Sequence, residues 1–140
     1  MAEVSIHRAG VAWEGGEGED VQAHDVLLGA QTLPSSSALE LGGDDAKSNP
    51  EVLLVGALSS CHMLWFLSLC RKKGFAVASY EDDAEGVLEG KRFSSATLRP
   101  RVRWADDPPE PEAIEALHQR SHELCFIANS VDFPVTVEPS

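Results

Sequence analysis

Positive charge is scarce in this 140-residue chain. Eleven Lys and Arg face 23 Asp and Glu, a formal net charge of -12 and a sequence pI near 4.7. A polyphosphate or an anionic membrane surface would be repelled, so neither nucleic acid nor a membrane is expected as a partner. Cysteine is nearly as sparse. Three residues, Cys61, Cys70 and Cys125, make no disulfide scaffold, and the absence of any Cys-x-x-Cys excludes a thioredoxin-type motif. No basic leader followed by an apolar run and a cleavage site opens the sequence, which sets the expectation of a cytoplasmic protein. There is also no internal repeat and no linker long enough to divide domains, so one domain over residues 1–140 is expected. What remains is ordinary globular material: 43% hydrophobic and 24% charged residues argue against disorder.

The dominant feature is an apolar run from Asn49 to Cys70. Asn49 or Ser48 can cap its first turn, Pro50 suits the first helical position, and Glu51 meets the positive end of the helix dipole. Arg71, Lys72 and Lys73 crowd the last turn and Gly74 supplies a stop. The result is a helix of about 24 residues, roughly 36 Å long at ~1.5 Å per residue. Apolar side chains on nearly every face imply burial all round. Glu51 at its start and Ser59, Ser60, Cys61 and His62 at its midpoint make a lipid-facing reading poor.

Around it the pattern is that of short strands. Residues 3–13 alternate loosely, Gly15 to Asp20 reads as a turn, and Val21 to Leu28 as the returning strand. The glycines of that turn could cradle a phosphate, but Glu14, Glu17, Glu19 and Asp20 beside them would repel one. Gln31 to Lys47 reads as a loop. Ala76 to Leu88 and Phe93 to Trp104 form a second strand pair about Glu89-Gly90-Lys91, with Arg99, Arg101 and Arg103 sharing one face. That stripe reads as a solvated sheet face or, less simply, as an anion-binding or catalytic arginine. A Pro- and acid-rich break leads to an amphipathic helix from about Glu112 to Cys125, and Ser130 to Val137 closes as an edge or bulged strand. Antiparallel pairs plus segregated helices give an α+β fold.

His118, His122 and Cys125 lie at offsets of four and three, one face of the second helix. Two imidazoles and a thiolate could bind a transition metal, with Cys61 or His62 as a fourth ligand. Alternatively Cys61 and Cys125 form a redox pair, one attacking and the other resolving. They could also be ordinary half-buried helix residues, and spacing leaves all three open.

Ser48-Asn49-Pro50-Glu51, Cys61 ten residues on, and a second cysteine in His122-Glu123-Leu124-Cys125-Phe126-Ile127-Ala128-Asn129-Ser130 together resemble the osmotically inducible protein C and organic hydroperoxide resistance (OsmC/Ohr) superfamily, in its OsmC-like branch. Val11-Ala12-Trp13-Glu14-Gly15 agrees. The resemblance implies an intertwined homodimer with sheets wrapped around paired central helices. It also implies a peroxidase of the oxidative stress response that reduces organic hydroperoxides, uses no cofactor or metal, and is recycled by a small dithiol or lipoylated protein. In that pattern Cys61 is the peroxidatic cysteine, Cys125 the resolving one, and Glu51 the carboxylate that orients an active-site arginine. Cys70 matches neither role. The family's arginine precedes the central helix, yet no Arg occurs between Gly10 and Asn49, and Lys47 is the only cation there. Protonated His62, His118 or His122, or Arg8, Arg101 or Arg103, would have to substitute. Leu58, Met63, Trp65 and Phe126 would line an apolar peroxide site.

Overall fold

In the computed structural model, which describes residues 3–15 and 20–140, the chain divides into two compact units, Met1–Leu53 and Leu54–Ser140. The first holds a three-stranded antiparallel sheet in the order β1 (Gly10–Ala12), β2 (His24–Leu28), β3 (Gln31–Ser35). Strand β1 is much shorter than the expected 3–13, and most of the expected turn, residues 16–19, lies outside the described residues. The expected loop from Gln31 to Lys47 begins instead as a strand. Gly29, at a φ of 64°, reverses the chain so that Leu28 pairs with Gln31 and His24 with Ser35. Pro34 is tolerated there because β3 is an edge strand.

The helix α1 (Pro50–Lys73) has the expected bounds. Asn49 Oδ1 accepts the amide of Val52 at 2.9 Å, closing the first turn. At the other end the amides of Gly74 and Phe75 reach back to the carbonyls of Arg71 and Cys70, at 3.2 and 2.9 Å, with Gly74 at a φ of 76°. This is the Schellman arrangement, and the left-handed residue it needs explains the glycine.

In the second unit, the two long strands expected after α1 are four: β4 (Val77–Asp82), β5 (Glu85–Glu89), β6 (Arg92–Leu98) and β7 (Pro100–Trp104). The ribbon splits at its middle. Strands β4 and β7 pair antiparallel as one sheet, while β5 and β6 continue as another. Asp82 fixes the corner: its carboxylate accepts the Arg99 amide at 2.6 Å and the Ser59 hydroxyl of α1 at 2.5 Å. Helix α2 (Pro111–Leu124) starts with proline at its first turn. The last strand, β8 (Val135–Val137), is shorter than expected and adds to β6 in parallel, the one parallel pair among the described strands. Parallel pairing needs a crossover of a dozen or more residues, and the segment holding α2 between β7 and β8 supplies one.

Helix α1 lies on both sheets of this unit through one stripe. Leu58 packs with Ala96 and Leu98 of β6 and with Val135 and Val137 of β8. One and two turns on past His62, Phe66 and Cys70 pack with Leu117 of α2 and with Val77, Tyr80, Val102 and Trp104 of β4 and β7. Gly86 of β5 is required by this packing, since a Cβ there would stand 2.7 Å from both Val55 and Phe93. Burial all round is therefore not what the single chain shows. Leu58, His62, Phe66 and Cys70 are buried, whereas Leu64 is 59% exposed. Sheets this small cover one side of an apolar helix and leave the rest open. By length and composition α1 is long and apolar enough to cross a membrane. Its central Ser59 and His62, however, are spent on hydrogen bonds within the domain.

Candidate active site

Helix α2 meets the midpoint of α1 at two adjacent positions. Cys61 adjoins Cys125, and both are free thiols. His62 Nε2 lies 3.1 Å from His118 Nδ1. Cys70, the third sulfur, is sealed in the Phe66 cluster, where burial pushes its thiol up to about 11 and leaves it inert.

The two paired thiols differ in access. Cys61 is half-buried and Cys125 is buried. Cys125 follows the last residue of α2, where a tight turn holds it. Asn129 donates its side-chain amide to the carbonyls of Glu123 and Cys125 at 3.0 and 2.9 Å, and the Ser130 hydroxyl reaches the Phe126 carbonyl at 2.7 Å. The Ala128 amide donates to Cys125 Sγ at 3.4 Å. Burial nonetheless raises this thiol above its ordinary value, and the neighbouring Cys61 adds to the rise. Cys125 thus stays protonated at neutral pH while Cys61 is the sulfur that solvent reaches.

The histidines are a buried, neutral pair. His62 and His118 are 1% and 4% exposed, and both are lowered from 6.5 to about 4 by burial, with the charges of His118 and His122 adding to the effect on His62. Phe66 stacks on His118 with ring centroids 4.3 Å apart. One proton is shared across the 3.1 Å contact, and His62 Nδ1 and His118 Nε2 have no protein partner. Neither ring is therefore a cation at neutral pH, which removes two of the expected substitutes for an arginine.

Of the expected arginines, Arg8 and Arg103 are exposed, and Arg101 is held in ion pairs. Lys47 pairs with Asp20 at 3.1 Å and Asp44 at 3.7 Å. Arg101 is held by Asp83 at 2.8 Å and Glu81 at 3.2 Å, and Arg99 lies between Glu85 and Glu138. The arginine stripe is a solvated face. Glu51, in the first unit, has a buried Oε2 with no hydrogen-bond partner. His122 is half-buried on the same face of α2 as His118.

Of the expected apolar lining, Trp65 and Phe126 meet edge to face with centroids 5.5 Å apart, and Phe126, beside Cys125, is 68% exposed. Leu58 belongs to the core instead. Among the described residues no group of three or more His, Cys, Asp or Glu side chains is arranged to hold a metal ion. His118 Nδ1 is committed to His62. The roles of Phe66 against His118 and of Ser59 on Asp82 were not anticipated. Their only trace in the sequence is spacing, with Ser59, His62 and Phe66 on successive turns of one face.

A long apolar helix bearing one thiol, crossed by a shorter helix that ends in a second, over a split antiparallel ribbon, defines a two-cysteine α+β class. The OsmC-like protein family matches residues 42–140, and the chain belongs to it. It is similar to an OsmC-like protein of unknown function from Vibrio cholerae, at 33% identity and a TM-score of 0.90 over 98% of this chain and 100% of that one. The fold is shared with organic hydroperoxide resistance proteins from Legionella pneumophila (20% identity, TM-score 0.67, 98% of each chain) and Elizabethkingia anophelis (18%, TM-score 0.72, 97% of each). Among curated proteins none matches.

Proposed function

We propose that the protein is a thiol-dependent peroxidase that reduces organic hydroperoxides through Cys61 and Cys125. The observation that carries this reading is the pairing of a half-exposed thiol with a buried, protonated one across α1 and α2. The naming of two structural relatives for organic hydroperoxide resistance agrees with it.

In the reaction, the Cys61 thiolate attacks the distal peroxide oxygen. The O–O bond breaks, the leaving alkoxide takes a proton and departs as the alcohol, and Cys61 becomes a sulfenic acid. The Cys125 thiol then attacks that sulfur, forming a disulfide and releasing water. An external dithiol, either a small molecule or a lipoylated protein, reduces the disulfide in the cytoplasm. The exposed Phe126 and its neighbour Trp65 favour an alkyl or aryl peroxide over hydrogen peroxide.

With His62 and His118 neutral, His122 is the imidazole left to donate a proton to the leaving alkoxide. Helix α1 is unbroken, so Glu51 and Cys61, ten positions apart, are separated by about 15 Å within one chain. A role for Glu51 at Cys61 therefore requires a second copy, and the open apolar face of α1 around Leu64 supports a homodimer.

Cumene hydroperoxide added to the reduced protein should consume two thiols and yield a Cys61–Cys125 disulfide by peptide mass mapping. Cys125→Ser should stall at a Cys61 sulfenic acid trapped by dimedone. If both thiols remain reduced while a control thiol peroxidase turns over, the proposal fails.

A further inference from the structure

Cys125 is placed by the way α2 ends. The last carbonyls of a helix have no partner within it, and an end left uncapped frays. Cys125 is the first residue beyond α2, so its sulfur would move with any fraying. Here one side chain closes that end. Asn129 Nδ2 donates to the carbonyls of Glu123 and Cys125 at 3.0 and 2.9 Å, and the Asn129 backbone amide reaches the same Cys125 carbonyl at 3.0 Å. A primary amide brings two N–H donors to two carbonyls. An aspartate in its place would bring none, and would set a negative charge against the negative end of the helix. The turn closed in this way also carries the Ala128 amide to Cys125 Sγ at 3.4 Å. Asn129 itself is exposed, so it adds nothing to the hydrophobic core.

We propose that Asn129 is a positioning residue, which holds the turn after α2 so that Cys125 stands ready to attack the sulfur of an oxidised Cys61. Its part in peroxide reduction rests on the peroxidase reading, while the positioning itself applies to any electrophilic sulfur at Cys61. Cys61 adjoins Cys125 already in the reduced chain, so little movement separates the thiol from its target. A group held beside its partner reacts without first having to be gathered, and that advantage is lost when the turn loosens. The clamp also decides what a Cys61 sulfenic acid becomes. Attack by the Cys125 thiol gives a disulfide and water, whereas a second hydroperoxide gives a sulfinic acid and a second molecule of alcohol. With the turn released, the second path gains on the first.

Dithiodipyridine tests the positioning without peroxide. The Cys61 thiolate attacks the reagent's disulfide, expels one thiopyridone and keeps the other half as a mixed disulfide. The Cys125 thiol then attacks the Cys61 sulfur, gives its proton to solvent and expels the second thiopyridone. Cys70, sealed in the Phe66 cluster, does not compete. Reduced full-length protein should therefore release thiopyridone in two phases. In Asn129→Ala and Asn129→Asp the first phase should keep its rate. The second should slow by about ten-fold or more, the scale for a turn that loses two hydrogen bonds. With excess cumene hydroperoxide, mass mapping should find a Cys61 sulfinic acid in the variants where the wild type gives the disulfide. An unchanged second phase, or both phases slowed alike, would overturn the proposal. Amide exchange showing the turn at Asn129 open in the reduced wild type would overturn it too. Two phases in the wild type, with both thiols untouched by cumene hydroperoxide, would sink the peroxidase reading and leave the positioning role standing.

Discussion

Acid should unfold this protein through its histidine pair before its carboxylates titrate. His62 and His118 bind protons near 6.5 when the chain is unfolded but only at about 4 in the native state, chiefly because burial penalises their charged forms. The unfolded state thus binds more protons in that interval, and stability falls as pH falls from 6.5 toward 4. Above 6.5 the contribution is fully present. At about 1.4 kcal/mol per pH unit the ceiling is about 3 kcal/mol per ring. Between pH 7.5 and 5.0 the loss is about 2 kcal/mol per ring, or about 4 kcal/mol for the pair. That is a large share of the roughly 5–15 kcal/mol that holds a domain together. Urea unfolding at pH 7.5, 6.0 and 5.0, with protein concentration held fixed, measures it directly. The double variant His62→Leu, His118→Phe should flatten the profile over that range. A wild-type loss below about 1 kcal/mol, or imidazole signals that titrate near 6.5 by NMR, would refute the buried neutral pair.

Phe66, fully buried between Tyr80, Trp104 and His118, should cost about 3–5 kcal/mol on replacement by alanine, read as a lower urea midpoint. Ser59→Ala removes the hydroxyl from the Asp82 corner and should cost about 1–3 kcal/mol in the same assay, with Asp82 left short of one donor. An unchanged midpoint would show that the corner is held by the Arg99 amide alone. Leu64→Glu puts a charge on the open face of α1, and light scattering should then report a monomer where the wild type is a dimer. A wild-type monomer, or a dimer that tolerates the glutamate, would remove the case for a covered α1 face.

Local signals wrote much of this fold into the sequence. Asn49, Pro50 and Gly74 bracket α1 because caps and stops are short-range chemistry, and the structure uses each of them as expected. The errors lie where tertiary pairing overrides local pattern. Nothing in Ala76 to Leu88 says that the ribbon must split at Asp82; that comes from a carboxylate bonding a helix hydroxyl 23 positions earlier and an amide 17 positions later. Strand β3 hid behind Pro34 and its serines, which read as loop until Gly29 turns the chain back onto β2. At the site, offsets in α2 put His118, His122 and Cys125 on one face, but not which of them α1 would meet. Periodicity also could not reveal that both imidazoles would be neutral, since that depends chiefly on burial.

The neutrality of that pair also bears on how Cys61 works. A histidine beside a thiol is commonly enlisted as a cation, and here two are available in sequence. Charging either would strand a proton in a buried pair, with the face of His118 covered by Phe66. The pair therefore serves as a hydrogen-bonded tie between α1 and α2 beside Cys61 and Cys125, and on the proposed peroxidase reading the positive charge a Cys61 thiolate needs comes from elsewhere. Lys47, Arg99 and Arg101 are spent on carboxylates, and Glu51 has a buried oxygen with no partner. On the proposed reading, this unpartnered glutamate and the Cys61 thiol, about 15 Å apart on one unbroken helix, could meet only across a homodimer.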